Sequence, residues 1–188
     1  MLSVIIQTEG EEQPAVATLA ALVPGAAAGV IREVLLVDRA ANGVMERVAD
    51  VAGCRFLALQ GSGAAAFAAG ARQARSPWLM FLCAGCVLDS GWIEETTQFI
   101  QSVASSGRPR AGVFRFARAP AADTRLRDRL KSVVRMLAPM TDQGLLIARD
   151  HYFRLGGDAP DARRSQARLL RRLGRSSRTQ LRSRIIML

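Results

Sequence analysis

The sequence predicts an α/β fold: a mostly parallel central sheet with helices on both of its faces. Three observations predict it. Short runs of continuous apolar residues recur and end on polar ones, stretches of helical periodicity separate them, and 188 residues suit one domain rather than two.

Residues 2–7 form the first apolar run, followed by polar Thr8 and Glu9, the pattern of a buried strand. Apolar side chains at 15, 16, 19, 20, 22 and 23 give residues 14–23 a helical spacing, expected to stop at Pro24 and Gly25. Residues 33–37 repeat the strand pattern and end at Asp38. A second helix is expected over 43–51, with Val44, Val48 and Val51 on one side, and a third strand over 55–59. Gly61-Ser62-Gly63 opens an alanine-rich helix to about Arg75, ended by Ser76-Pro77. Residues 78–82 are the most apolar strand, and Ser90 is placed to cap a helix from Trp92 to about Ala104.

After Gly107 the texture changes. Residues 111–117 read as a strand alternating Val113 and Arg115 with Phe114 and Phe116. Residues 123–137 read as an amphipathic helix, with Leu126, Leu130, Val133, Val134 and Leu137 on its stripe. A short strand over 145–148 and a helix over 162–173 complete the pattern. No repeat of 20 to 50 residues is present, which removes solenoids and propellers.

Composition narrows the class further. Apolar residues make up 49% and charged residues 22%, which excludes wholesale disorder. The longest apolar stretch, residues 15–31, is broken by Pro24 and Gly25 and falls short of the roughly 20 residues of a spanning helix. The first residues lack the positive charge of a secretory signal, and three cysteines give no disulfide framework, so a cytoplasmic protein is expected.

Charge is uneven along the chain. Residues 1–107 hold 6 basic and 10 acidic residues, a net −4; residues 108–188 hold 20 and 6, a net +14. Of the 26 basic residues 25 are arginine, Lys131 being the exception. A GC-rich coding bias would explain arginine over lysine, but not the concentration of positive charge at one end.

In a parallel sheet, ligands sit beyond the C-terminal strand ends, so Gln7, Thr8, Asp38 and the stretch after Leu82 are where chemistry is expected. The individual signals there have plain structural readings as well. Asp38 is a nucleotide contact or the cap of its own turn. Gly61 and Gly63 either leave N–H groups open to an anion or allow tight helix–strand packing. Cys83 and Cys86 form C-x-x-C, but the following helix starts several residues later and no metal spacing joins Cys54 or His151, so buried small residues are expected. His151 reads as a surface or helix-start residue.

Taken together, six segments in order resemble the family 2 glycosyltransferases of the GT-A fold. They are Ser3-Val4-Ile5-Ile6 with Glu11-Glu12; the strand ending at Asp38; Gly61-Ser62-Gly63 with the helix to Gly70; residues 78–82 with Gly91-Trp92; Asp142-Gln143-Gly144 with Gly156-Gly157; and residues 170–175. The resemblance covers almost the whole chain and implies a Rossmann-like three-layer sandwich in a single domain. Residues 1–107 would be its nucleotide-sugar-binding half and 108–188 a basic acceptor-side half. It implies nucleotide contacts at Thr8, Glu9, Asp38, Asn42, Gly61 and Gly63, and an acceptor side at Gln143 and Gly144.

The departures fall on the catalytic positions. Where the family has an acidic metal-binding motif for Mg²⁺ or Mn²⁺, this chain has Cys83-Ala84-Gly85-Cys86, and no metal cofactor is expected. The aligned acceptor-base positions are Ala162 and Arg163, which leaves Asp161 and Asp142 as the catalytic candidates. A weakly active or inactive transferase-like protein is therefore expected. An active enzyme using arginines in place of metal is a second reading. A binding or accessory module on an anionic membrane surface is a third, through Arg164, Arg168, Arg171 and Arg175. Nucleic-acid binding is the weakest, because aromatics are only 5% and no recognition motif is present. The tail Ile185-Ile186-Met187-Leu188 either inserts in a membrane or pairs as an edge strand.

Overall fold

The computed structural model describes residues 1–40, 43–117, 144–157, 169, 172–174 and 177–188. Strand β1 (Leu2–Thr8) is buried along its whole length and sits between β2 (Ile31–Asp38) and β4 (Trp78–Cys83), both parallel to it. β3 (Arg55–Ala58) extends the parallel set beyond β2. On the other side the sheet becomes mixed. β7 (Leu145–Ala148) runs antiparallel to β4 and to β6 (Ala111–Ala117); β8 (Arg178–Met187) lies parallel to β6 and antiparallel to the short β5 (Cys86–Leu88). The order is β3-β2-β1-β4-β7-β6-β8-β5, so the four strands expected to be parallel are, and the antiparallel pairs lie in the later half.

Helices cover both faces. On one face α1 (Glu12–Ala27), α2 (Gly43–Val51) and α4 (Trp92–Ser106) contribute Leu22, Met45, Ala49, Trp92, Phe99 and Val103 to a core with Val4, Ile6 and Met80. On the other, α3 (Gly63–Gln73) and α5 (Arg149–Arg154) pack Phe67, Ala71 and Tyr152 against Ile5, Leu79 and Phe81. Side-chain alternation along β1 feeds both cores at once, which is why the strand reads as a continuous apolar run.

Four local expectations need correction. The first helix does not stop at Pro24 and Gly25 but continues to Ala27. Pro24 lies in the last turn, where only one ladder bond is lost, and Gly25 is buried against Trp92: a Cβ there would lie 2.4 Å from the indole Cη2. Packing of α1 on α4 therefore overrides the local stop signal. The buried stripe of α2 is Met45 and Ala49, one residue over from the expected valines, and Val51 is 89% exposed. Ser90 does not cap α4: Gly91 holds the cap position with no side-chain bond, and Glu94 and Glu95 supply the negative first turn. Finally, β5 was not expected as a strand, and the C-terminal tail is one: Ile185 is fully buried and Ile185, Ile186 and Met187 pair with Leu88, Val87 and Cys86. Pairing, not insertion, uses the tail.

The expected helices over 123–137 and 162–173 lie outside the described residues, apart from residues 169, 172 and 173, which are helical, with Leu169 and Leu173 buried in the second core.

Candidate functional site

The strand order switches sides between the parallel strands β1 and β4: β2 and β3 are added on one side of β1, and β4 and then β7 on the other. The crevice beyond the carboxyl ends of these strands is the ligand position of open α/β sheets. Register places Thr8 beside Asp38, and Gln7 beside Cys83, along that edge.

Both Thr8 and Asp38 are buried. The Thr8 hydroxyl accepts the Gly10 N–H at 3.2 Å and lies 3.5 Å from the Met45 sulfur. The Asp38 carboxylate accepts the Ala40 N–H at 3.3 Å, and its carbonyl accepts the Leu59 N–H at 2.9 Å. Arg39, which the sequence did not single out, ties three loops of this edge together. Its Nε donates to the Gly61 carbonyl at 2.8 Å, its Nη1 pairs with Glu9, and its backbone N–H reaches the Thr8 carbonyl at 3.0 Å. Glu9 is thus at the edge, largely exposed and paired.

Helix α3 begins at the same edge. Ser62 caps it, its hydroxyl accepting the Ala65 N–H at 3.3 Å, so the sequence expectation of a helix opened by Gly61-Ser62-Gly63 holds with Ser62 as the capping atom. Gly63 abuts the Gln7 amide: a Cβ on Gly63 would lie 2.4 Å from Gln7 Oε1. That oxygen is buried and accepts no hydrogen bond among the described residues. A buried acceptor left unpaired is a costly arrangement.

The turn between β4 and β5 has a different character. Gly85 adopts φ +92°, and its N–H is held by the Pro14 carbonyl and the Thr18 hydroxyl, each at 2.9 Å. Its carbonyl accepts the Leu188 N–H at 3.1 Å, so the C-terminus closes over the turn. Cys83 is partly buried, Cys86 is buried, and neither is in a disulfide. The nearest carboxylate along the chain, Asp89, accepts the Arg184 N–H at 2.9 Å. Further along, Glu95 accepts the N–H groups of Arg182 and Ser183. Burial by itself would raise the Glu95 carboxyl; those backbone bonds, the Ser183 hydroxyl and the Arg182 charge outweigh it and hold the group below its ordinary value. Asp89, Glu94 and Glu95 line a groove of about 770 Å³ between α4 and β8.

Among the other expected site residues, Gly144 stands at the start of β7 on the same edge, but inside the core: a Cβ there would meet Ile185 at 2.6 Å and Leu82 and Phe114 at 3.1 Å. Asn42, Asp142, Gln143, Asp161, Arg164, Arg168, Arg171 and Arg175 lie outside the described residues. His151 is in α5, and burial, with the Arg154 charge, holds its imidazole below the ordinary value.

No protein-family model and no curated protein matches the sequence. Solved structures do match the fold. Residues 1–349 of Staphylococcus aureus TarS superpose with a TM-score of 0.69 at 13% identity, over 99% of this chain and 60% of that one. Mycobacterium tuberculosis glucosyl-3-phosphoglycerate synthase, in complex with Mn²⁺, UDP and glucosyl-3-phosphoglycerate, gives 0.64 at 14% identity, over 100% of this chain and 70% of that one. TarS in complex with UDP gives 0.63 at 12% identity.

The chain has the GT-A glycosyltransferase fold.

It spans 60% of the length of the TarS chain, and at these identities the likeness is one of fold. Thr8, Asp38, Gly61 and Gly63 lie together at the carboxyl edge of the parallel strands. The residues of the β4–β5 turn do not fit a hard divalent cation. Two thiols, a methyl and a glycine offer no oxygen side chain; Asp89 spends one oxygen on the Arg184 N–H, its other is buried without a partner among the described residues, and one carboxylate is too few for such an ion. Among the described residues, no group of three His, Cys, Asp or Glu side chains could hold a metal ion.

Proposed function

We propose that this domain binds a nucleotide sugar at the Thr8–Asp38–Gly63 edge and transfers its sugar weakly or not at all. The carrying observation is a contrast on one edge of one sheet. The nucleotide side is built, with two buried polar side chains in register, a helix N-terminus and an unpaired buried amide oxygen. The turn two strands from Asp38 holds Cys83-Ala84-Gly85-Cys86 in place of cation ligands. The neighbours solved with UDP support the choice of nucleotide.

Chemically, the built half does what binding needs. The Gln7 amide oxygen offers an acceptor to a donor-bearing ligand, Asp38 brings a buried carboxylate beside it, and the first turn of α3 presents N–H groups to an anion. The other half lacks the charge that would stabilise a departing diphosphate, a term worth several kcal/mol when supplied by a metal. Calorimetry with UDP and UDP-sugars, with and without Mn²⁺, tests the reading. Binding is expected, equally with and without the metal, and to be weakened at least tenfold by Asp38→Ala. Mn²⁺-dependent binding or turnover, or no nucleotide binding, would refute it.

A second reading, a module resting on an anionic membrane surface, is favoured by the +14 charge of residues 108–188. No helix among the described residues is long and apolar enough to cross a membrane, so association would be peripheral and electrostatic. Co-sedimentation with anionic but not neutral vesicles, abolished by high salt, is its expected signature.

A further inference from the structure

The later half of the sheet carries charge in an unusual place. β6 and β8 are parallel neighbours, and their register sets Arg115 directly beside Arg184. Both are exposed, as are Gln180 and Arg182, which alternate with buried Leu181 and Ser183 along β8. Like charges opposite one another in a sheet are destabilising. Neither arginine forms an ion pair among the described residues. Arg182 differs, since its charge already acts on Glu95. Two arginines side by side in register on a strand pair, with no ion-pair partner for either side chain among the described residues, are arranged for an external anion.

Their position is also informative. Phe81 and Val113 both stand opposite Leu145 of β7, so β4 and β6 run the same way and are level across it. Two residues further, Cys83 and Arg115 are therefore level at the carboxyl edge of the sheet. At about 4.8 Å per strand, Arg115 lies roughly 10 Å from β4 and roughly 14 Å from β1. It shares the ligand edge with Thr8 but is too far along it to meet the same part of one nucleotide.

We propose that Arg115 and Arg184 bind a phosphate group of the acceptor, opposite the nucleotide end of the crevice. Guanidinium forks match phosphate oxygens in geometry and charge, and two side by side bind one such group from the same face. That the phosphate belongs to an acceptor rests on the nucleotide-sugar reading above; the phosphate site itself does not.

Titration calorimetry with sn-glycerol 3-phosphate, and co-sedimentation with phosphatidylglycerol vesicles, distinguish a soluble phosphate from a lipid headgroup. The probes are applied to the full chain and to Arg115→Gln, Arg184→Gln and the double variant. Affinity for whichever phosphate source binds is expected to fall about tenfold for each arginine removed. Melting temperature is expected to hold or rise, because each change relieves a like-charge contact, and UDP affinity is expected to stay unchanged. Phosphate binding that survives in the double variant, or absence of binding to both sources by the unaltered chain, overturns the proposal. Loss of UDP binding alone bears on the nucleotide site instead, so the two readings fail separately.

Discussion

Replacing Glu95 probes the junction of α4 with β8. Its two carboxylate oxygens accept the Arg182 and Ser183 N–H groups, the latter at 2.6 Å. These donors sit where β8 carries extra residues relative to β6: Val113 pairs with Gln180, but Arg115 pairs with Arg184. The irregularity takes N–H groups out of the ladder, and Glu95 supplies the acceptors that the ladder does not. A hydrogen bond to a charged partner contributes about 1.5–3 kcal/mol. Glu95 is only half-buried, so water competes and the lower figure applies; two bonds then give about 3 kcal/mol for Glu95→Ala. Glu95→Gln keeps one neutral acceptor and loses about 2 kcal/mol.

The pH dependence follows from the direction of the Glu95 shift. Its folded value is below the ordinary 4.5, so the contribution is complete above 4.5 and disappears as pH falls through the lower folded value. Urea denaturation of the unaltered chain and Glu95→Gln at pH 7 and at successively lower pH measures this. The stability difference is expected to shrink towards zero in acid. A difference below about 0.5 kcal/mol at pH 7, or one independent of pH, would refute the assignment of Glu95 as the acceptor for the β8 irregularity.

Two further substitutions test packing and the turn. Gly25→Ala forces a methyl against Trp92 and is expected to destabilise by about 1–3 kcal/mol, with a shift in tryptophan emission; an unchanged urea midpoint would contradict the close approach of α1 and α4. Gly85→Asp restores a carboxylate to the β4–β5 turn, but at φ +92° and with its Cβ 3.2 Å from the Met187 sulfur. It is expected to lower stability by about 1–3 kcal/mol and to yield no Mn²⁺-dependent transfer, which an assay of sugar release from UDP-sugars would detect.

Much of the fold was legible because its central strands, β1 and β4, are buried on both faces and the strands beside them keep the same apolar character. Residues 2–7, 33–37, 55–59 and 78–82 read as apolar runs, and each is a strand of the parallel set. The site was legible only in part. Thr8, Glu9, Asp38, Gly61 and Gly63 do share one edge, because a strand's end and the turn after it are contiguous in sequence. Arg39 was not singled out, since its role depends on reaching Glu9 and Gly61, 30 and 22 residues away. The pairing of Arg115 with Arg184 was invisible for the same reason: only the β6–β8 register creates it.

What the sequence determined by itself is whatever hydrophobic periodicity and local chemistry can encode: the strand–helix order, the alanine-rich helix behind Ser62, and the missing oxygen ligands at Cys83-Ala84-Gly85-Cys86. Tertiary structure decided where local signals were balanced or opposed. Trp92 carried α1 past Pro24, and pairing with β5 turned an apolar tail into a strand. The physical reason is the same in both cases. Burying an indole against Gly25, or satisfying a row of backbone N–H and C=O groups along β8, outweighs a preference of about 1–3 kcal/mol written in one or two residues.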